Sequence, residues 1–304
     1  MIIIDLPTWF LSVLLAPFGL VLGSFGNVLI HRLPQEEDQD RNVVTKPSHC
    51  PSCKKPIRWF HNIPLLSWIA LGGKCAFCGW RIPFRYPLVE LLVGALLAGS
   101  VWILPFGTLI WLKGVLCGYA LVVLFFTDLT EFMLPDVIQF PLIVLGILFT
   151  LPQLRWPEHL TTISTTGFEH LVVETFTNGL QPAPSWTLQG PITDWKASLI
   201  GAAVGYGVPA FLNQIYKWIR KTDGLGMGDF KMLAWLGAFW GWGAMLGILF
   251  GGALLGSLVG GALMVLRRAS GQTMLPFGCA LALATPVVVF FGPVLWSAYM
   301  GLMN

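Results

Sequence analysis

The sequence predicts an all-α polytopic membrane protein of about eight transmembrane helices with one small cytoplasmic domain, and three observations predict it. The chain of 304 residues is 55% hydrophobic and 11% charged, with a mean hydropathy of +0.72. A soluble domain carries about 25% charged residues. This chain has too few to cover a globular surface, so most of it must face lipid. Apolar runs of about 20 residues, enough to cross a bilayer core of about 30 Å, recur along the chain. The basic residues then fall almost entirely on one side of the resulting topology. The formal charge of +3 is too small to point to nucleic acid.

The first span covers 7–30. It lacks a basic leader and runs too long for a signal peptide, so it reads as a retained helix. Residues 31–86 are polar, Pro-rich and basic, and form the cytoplasmic domain. Spans at 86–104, 108–127 and 137–153 make up a membrane block over 87–153. Residues 154–196, polar and rich in Thr and Ser, read as a periplasmic insert. The last block, 197–304, holds spans at 197–216, 230–247, 248–266 and 278–300. The division between the sixth and seventh rests on the turn Trp240-Gly241-Trp242-Gly243. With this order only Lys113, Arg155 and Lys196 fall on the outer side, which makes loop 31–86 cytoplasmic and both termini periplasmic.

Within that loop, Cys50-Pro51-Ser52-Cys53 and Cys75-Ala76-Phe77-Cys78 are two CxxC pairs separated by 21 residues. Each pair lets two thiolates converge on one ion, and two pairs complete a tetrahedral Cys₄ site. Pro51 stiffens the first turn and Gly79 frees the backbone after the second. Disulfides or redox-active thiols are the competing reading, and a cytoplasmic loop disfavours structural disulfides. The pattern therefore predicts structural zinc, which a loop with little apolar content needs in order to fold. A closed Cys₄ shell leaves no open position for catalysis. Cys117 and Cys279 read as packing residues in spans, and His49 and His61 as solvated or hydrogen-bonding side chains.

Acids inside or bordering spans are costly and usually functional. Asp5 and the run Glu36, Glu37, Asp38 and Asp40 lie in solvent. Asp128 follows the apolar stretch 121–127 at the end of the third span, and Asp229 sits in Gly226-Met227-Gly228-Asp229-Phe230-Lys231 where the sixth begins. The topology puts both at the cytoplasmic edge on different helices, an arrangement for two carboxylates that share a proton and activate water. Gly226 and Gly228 permit backbone conformations or close approach that a Cβ would block. The alternative for Asp229 is a plain helix cap. Asp136, after Pro135, reads as the N-cap of the fourth span, Glu131 and Asp223 as solvated. Glu90, inside a span, either pairs with a base or belongs to a site.

These residues resemble the GxGD membrane aspartic peptidases, specifically the bacterial type IV prepilin leader peptidase/N-methyltransferase family, over nearly the whole chain. Besides the two aspartate segments, the resemblance rests on Gly23-Ser24-Phe25-Gly26-Asn27-Val28 through Arg32-Leu33-Pro34, and on both cysteine pairs. Asn62-Ile63-Pro64-Leu65-Leu66-Ser67, Arg85-Tyr86-Pro87-Leu88-Val89-Glu90 and Pro276-Phe277-Gly278 complete it. It implies cleavage of prepilins or pseudopilins at the cytoplasmic face of the inner membrane by Asp128 and Asp229, with Gly226, Gly228 and Lys231 as supporting motif residues. It also implies methylation of the new N-terminal amine with S-adenosylmethionine. Asn27, Arg32, Gly73 and Glu90 are the candidates for methylation or substrate binding. Cys279 stands where the family more often has proline, and 154–196 is longer than the family's usual connection. Glu158-His159-Leu160 and Glu169-His170-Leu171 in that insert read as a short echo, without an expected metal or catalytic role for His159 and His170. The competing functions are a polytopic transporter, whose acids would lie at the midplane, and a zinc-knuckle scaffold for assembly factors, which would not need paired acids.

Overall fold

A computed structural model of the protein describes residues 6–35, 43, 47–104, 106–150, 195–222, 224–266 and 275–303. The insert 154–194 with His159 and His170, together with Asp5, Glu36, Glu37, Asp38, Asp40, Asp223, Arg41, Lys46, Arg155, Arg267 and Arg268, lies outside them. The described residues form helices joined by short turns, with no strand among them beyond two isolated bridges, His49 to Pro56 and Lys74 to Arg81. In lipid every backbone polar group must be paired within its own segment, so a chain this apolar has little choice but helix. Among the described residues, four helices are long and apolar enough to cross a membrane: α1 (Thr8–Arg32), α3 (Arg85–Ile103), α4 (Leu109–Glu131) and α7 (Met227–Val265). Shorter apolar helices are α5 (Asp136–Leu148) and the Phe277–Gly292 part of α8 (Phe277–Met303). A one-turn helix α2 (Leu66–Ala70) lies in the polar loop, and α6 (Trp195–Arg220) is the more polar membrane-length helix.

The chain divides into two compact units, Met1–Thr127 and Asp128–Asn304. In the first, α1 packs on α3 so closely that a Cβ at Gly23 would lie 2.6 Å from the Glu90 Cα. Only glycine allows that approach, and it brings the polar end of α1 beside Glu90. Val93, Leu97 and Val115 form a buried cluster beside this contact.

In the second unit, Pro135 ends the loop after α4 and starts α5, while α6 runs along the first part of α7, where Ser198 Oγ donates to the Ala238 carbonyl at 2.8 Å. Helix α7 is two helices. Gly241 has φ 80° and ψ 169°, outside the helical range. The sequence placed the break within 240–243 but drew the span boundary at 247/248; the reversal is at Gly241, because glycine alone takes that φ without strain. Packing shows that the chain turns back there. Gly228 lies against Leu134, Leu134 lies against Gly278, and the start of α8 lies against Gly256. A continuous helix from 228 to 256 would be roughly 40 Å long, too far for one side chain and one helix turn to bridge. Beyond Gly241, α7 and α8 run antiparallel, pairing Gly247 with Val288 and Gly260 with Leu275.

Candidate active site and metal centre

Asp128, read from the sequence as ending the third span, lies in the last turn of α4, which continues to Glu131 rather than stopping at 127. Phe132 then takes φ 52°, its N–H still bonded to the Asp128 carbonyl at 3.0 Å, and the chain leaves the helix. Asp128 is only 5% exposed. Its Oδ2 accepts the backbone N–H of Cys279 at 2.9 Å, and the Cys279 thiol also bonds to it. Cys279 is the third residue of α8, so this N–H is one of the donors a helix start leaves without an internal partner. A carboxylate is the natural acceptor there.

Asp229 occupies the third position of α7 and is 8% exposed. Its Oδ2 accepts the Gly226 N–H at 3.3 Å, half of a capping box that Gly226, lacking a side chain, cannot reciprocate. Capping engages one carboxylate oxygen, so the cap reading and a chemical role coexist. The two aspartates lie within electrostatic range of each other, and Cys279 within range of both. Leu134 is the common neighbour: a Cβ on Gly228 would lie 3.0 Å from its Cβ, and one on Gly278 3.0 Å from its Cδ1. Leu134 thus packs against Gly228, which precedes Asp229, and against Gly278, beside the Asp128 carboxylate.

Around them, two expectations about neighbouring residues are corrected. Gly226 has φ −72° and ψ 146°, a conformation open to any residue, whereas a Cβ at Gly228 would crowd Leu134 at 3.0 Å. Asp136 is not the cap of α5, since Pro135 occupies that position. Its carboxylate instead binds Lys231 Nζ through both oxygens, at 2.7 and 2.9 Å. Glu131 is exposed, as expected.

In the first unit the four cysteines Cys50, Cys53, Cys75 and Cys78 are reduced, and their sulfurs all lie within 4.8 Å of one another. The Cys50 and Cys78 sulfurs are 3.9 Å apart. Four thiolates at about 2.3 Å from a tetrahedral zinc would sit about 3.8 Å from one another, so the donor set fits the ion. Each CxxC closes on itself in the same way. Lys54 N–H donates to the Cys50 carbonyl at 2.9 Å and Gly79 N–H to that of Cys75 at 3.0 Å, and both residues adopt positive φ. Gly79 does so freely; Lys54 does so at a cost of about 1 kcal/mol or more. Backbone N–H groups of Cys78 and Phe77 pull the Cys75 thiol down to about 7, while burial pushes Cys50 up to about 11.

Asn27, Arg32 and Glu90 line a single pocket of about 150 Å³ in the same unit. Asn27 Nδ2 donates to the Tyr86 carbonyl at 3.0 Å, while its buried Oδ1 has no partner among the described residues. Arg32 Nη2 donates to the Pro47 carbonyl at 3.1 Å. Glu90 needs no basic partner: its Oε2 accepts the Leu65 N–H at 2.8 Å, and Ser24 bonds to it as well. Gly73 is not in the lining but at φ 68° packs against the indole of Trp68, which is. His61 stacks edge-on to Phe60 at 4.4 Å and His49 faces the Pro47 carbonyl; neither joins the cysteine cluster. Ser24, Trp68 and Tyr86 were not singled out from the sequence. A signal existed for Ser24, which lies three residues before Asn27 on the same helix face.

Two family profiles match this chain: the bacterial peptidase A24 N-terminal domain over residues 18–104 and the type IV leader peptidase family over residues 115–261. A prepilin leader peptidase/N-methyltransferase of Aeromonas salmonicida is 34% identical over 315 residues, 96% of this chain and 94% of that protein. The chain belongs to the type IV leader peptidase family. Proteins of the same name from Aeromonas hydrophila and Pseudomonas aeruginosa are 33% and 32% identical to this leader peptidase family member, covering 96% and 93% of the chain and 94% and 91% of the relatives. No solved structure matches it. Both aspartates fall within the residues matched by the leader peptidase profile, and the four cysteines within those matched by the N-terminal profile.

Proposed function

We propose that this protein is a multi-pass inner-membrane aspartic endopeptidase that removes the leader from type IV prepilins or secretion pseudopilins at the cytoplasmic face. It also N-methylates the new N-terminal residue with S-adenosylmethionine. The observation that supports the first activity is that Asp128 and Asp229, buried acids on separate helices, lie within electrostatic range of each other, with Leu134 packed against Gly228 and Gly278 beside them. The scissile peptide lies extended across the pair. One carboxylate takes a proton from water, and the resulting hydroxide attacks the carbonyl carbon. The other donates a proton to the carbonyl oxygen; when the tetrahedral intermediate collapses, the departing amine leaves protonated. The pair exchanges its proton as a unit, so acid and base are roles of the dyad.

Eight crossings, with both termini periplasmic and residues 31–86 as a cytoplasmic domain, accommodate this reading. The reversal at Gly241 supplies the break between the sixth and seventh crossings. The limb 227–240 is only roughly 21 Å long, which would keep Asp229 below the membrane surface, where a hydrophobic substrate helix could reach it from the bilayer.

Zinc on Cys50, Cys53, Cys75 and Cys78 has a structural role, holding the two turns together. For methylation, the pocket of Asn27, Arg32 and Glu90 is the proposed site. S-adenosylmethionine supplies an activated methyl group there. The unpartnered Asn27 Oδ1 offers an acceptor for an amine N–H, and Glu90 holds the loop at Leu65 that forms one wall.

Co-expression with a prepilin tests both activities. Loss of the leader is read as a gel shift, and mass spectrometry of the new N-terminus reports the methyl group. Asp128→Asn and Asp229→Asn are each expected to abolish cleavage while membrane insertion and zinc content stay unchanged. Full cleavage by either variant removes that residue from the mechanism.

A further inference from the structure

Lys231 lies two residues beyond Asp229 on α7, and Asp136 opens α5. Their ion pair is bidentate, at 2.7 and 2.9 Å, and the Lys231 ammonium also sits 5.2 Å above the ring of Phe140. Asp136 and Phe140 are four residues apart, so one face of α5 presents acid and ring together. The segment between Asp128 and α5 has little structure of its own: Phe132 has positive φ, and Pro135 donates no hydrogen bond. What places it is attachment. Gln139 Nε2 donates to the Leu134 carbonyl at 3.0 Å, which joins the segment to α5, and Lys231 joins the start of α5 to α7. Leu134, carried on this piece, is the side chain that packs against Gly228 next to Asp229 and against Gly278 next to Asp128.

We infer that the Lys231–Asp136 pair is a positioning clamp that seats Leu134 and so sets the approach of the Asp128 and Asp229 carboxylates. The inference rests on the peptidase reading above. Both members of the clamp are engaged with each other, and the clamp acts through Leu134. Asp136 is half-exposed, and such a pair adds little to overall stability. Its loss should therefore appear in turnover rather than in folding, because small displacements of reacting groups carry large rate penalties.

The test uses the full-length enzyme and a purified prepilin, with kcat and KM measured separately. Lys231→Met is expected to lower kcat at least about tenfold with KM within about twofold. The near-isosteric Asp136→Asn should do the same, and the double variant should be no worse than the poorer single one. Reversing the pair, with Asp136→Lys and Lys231→Asp together, should recover part of the lost kcat. Unchanged kcat in the singles overturns the clamp, and so do losses that multiply in the double variant. A raised KM at unchanged kcat, the signature of substrate contact, overturns it as well. Because Asp136→Asn alters no side-chain volume, it decides the question even if Lys231→Met inserts poorly. A wild-type enzyme that cleaves prepilin beside indifferent clamp variants sinks the clamp alone; a wild-type enzyme that does not cleave sinks the peptidase reading and the clamp together.

Discussion

At Gly278 a single methyl group would lie 2.9 Å from Asp128 Oδ2 and 3.0 Å from Leu134 Cδ1. Neither neighbour can retreat easily: Asp128 is held by the Cys279 N–H, and Leu134 is wedged against Gly228. Gly278→Ala is therefore expected to cost about 1–3 kcal/mol of local strain and to depress cleavage by at least about tenfold, measured as kcat on a prepilin with insertion unchanged. In the first unit, Glu90→Gln replaces the acceptor of the Leu65 N–H with a weaker neutral one. Leu65 has φ 58°, unusual for a leucine, so its turn depends on that bond. The expected outcome is loss of N-terminal methylation, read by mass spectrometry, with leader cleavage retained. The acids themselves were legible in the sequence, because a carboxyl group beside an apolar run is too costly to be accidental. Leu134 and Cys279 were not, because an ordinary leucine and a cysteine 151 residues from Asp128 acquire meaning only from folding.

Among the elements, the two CxxC turns were the most legible, since spacing alone determines that their thiolates can converge. What spacing could not predict is how unequal the thiols are, with Cys75 near 7 and Cys50 near 11. Zinc bound by the four would compete with protons for each of them. A thiol whose folded pKa lies well above neutrality is protonated without metal, so falling pH favours release. Zinc content should accordingly decline as pH drops below neutral, measured by a stoichiometric metal assay after dialysis. Chelation is expected to unfold the residues around the cysteines while the membrane helices keep their helical signal in circular dichroism. Helix α7 was less legible, because both of its limbs are apolar and no polar residue separates them. The Gly/Trp-rich run at 240–243 gave the region, and only the φ of Gly241 gives the residue. Gly241→Ala should destabilise the reversal by about 1 kcal/mol or more, seen as a lower thermal midpoint.

For the whole molecule, the proposed eight crossings make a directional prediction. Reporter fusions active only outside the inner membrane should be active at both termini and within 154–196. They should be silent within 31–86 and beside Lys217. Activity on the same side at residues 31–86 and 154–196 would require an odd number of crossings to be gained or lost between them. The three helices α1, α3 and α4 are continuous and apolar, and their positions follow from composition. Helices α5 and α6 are not so simple: one is 13 residues long and the other carries a polar end, so length and hydropathy alone leave them short of the ordinary span.

By itself the sequence determined that the chain is helical and embedded in lipid, that four cysteines can share a metal, and that two acids stand at costly positions. Each of these follows from composition or from spacing within a few residues, which local chemistry decides. Only the tertiary structure decided which side chains surround the acids, where α7 reverses, and that Asp136 answers Lys231 rather than capping its own helix. Such pairings join residues far apart along the chain, and they arise from how helices pack, which no local window of residues contains.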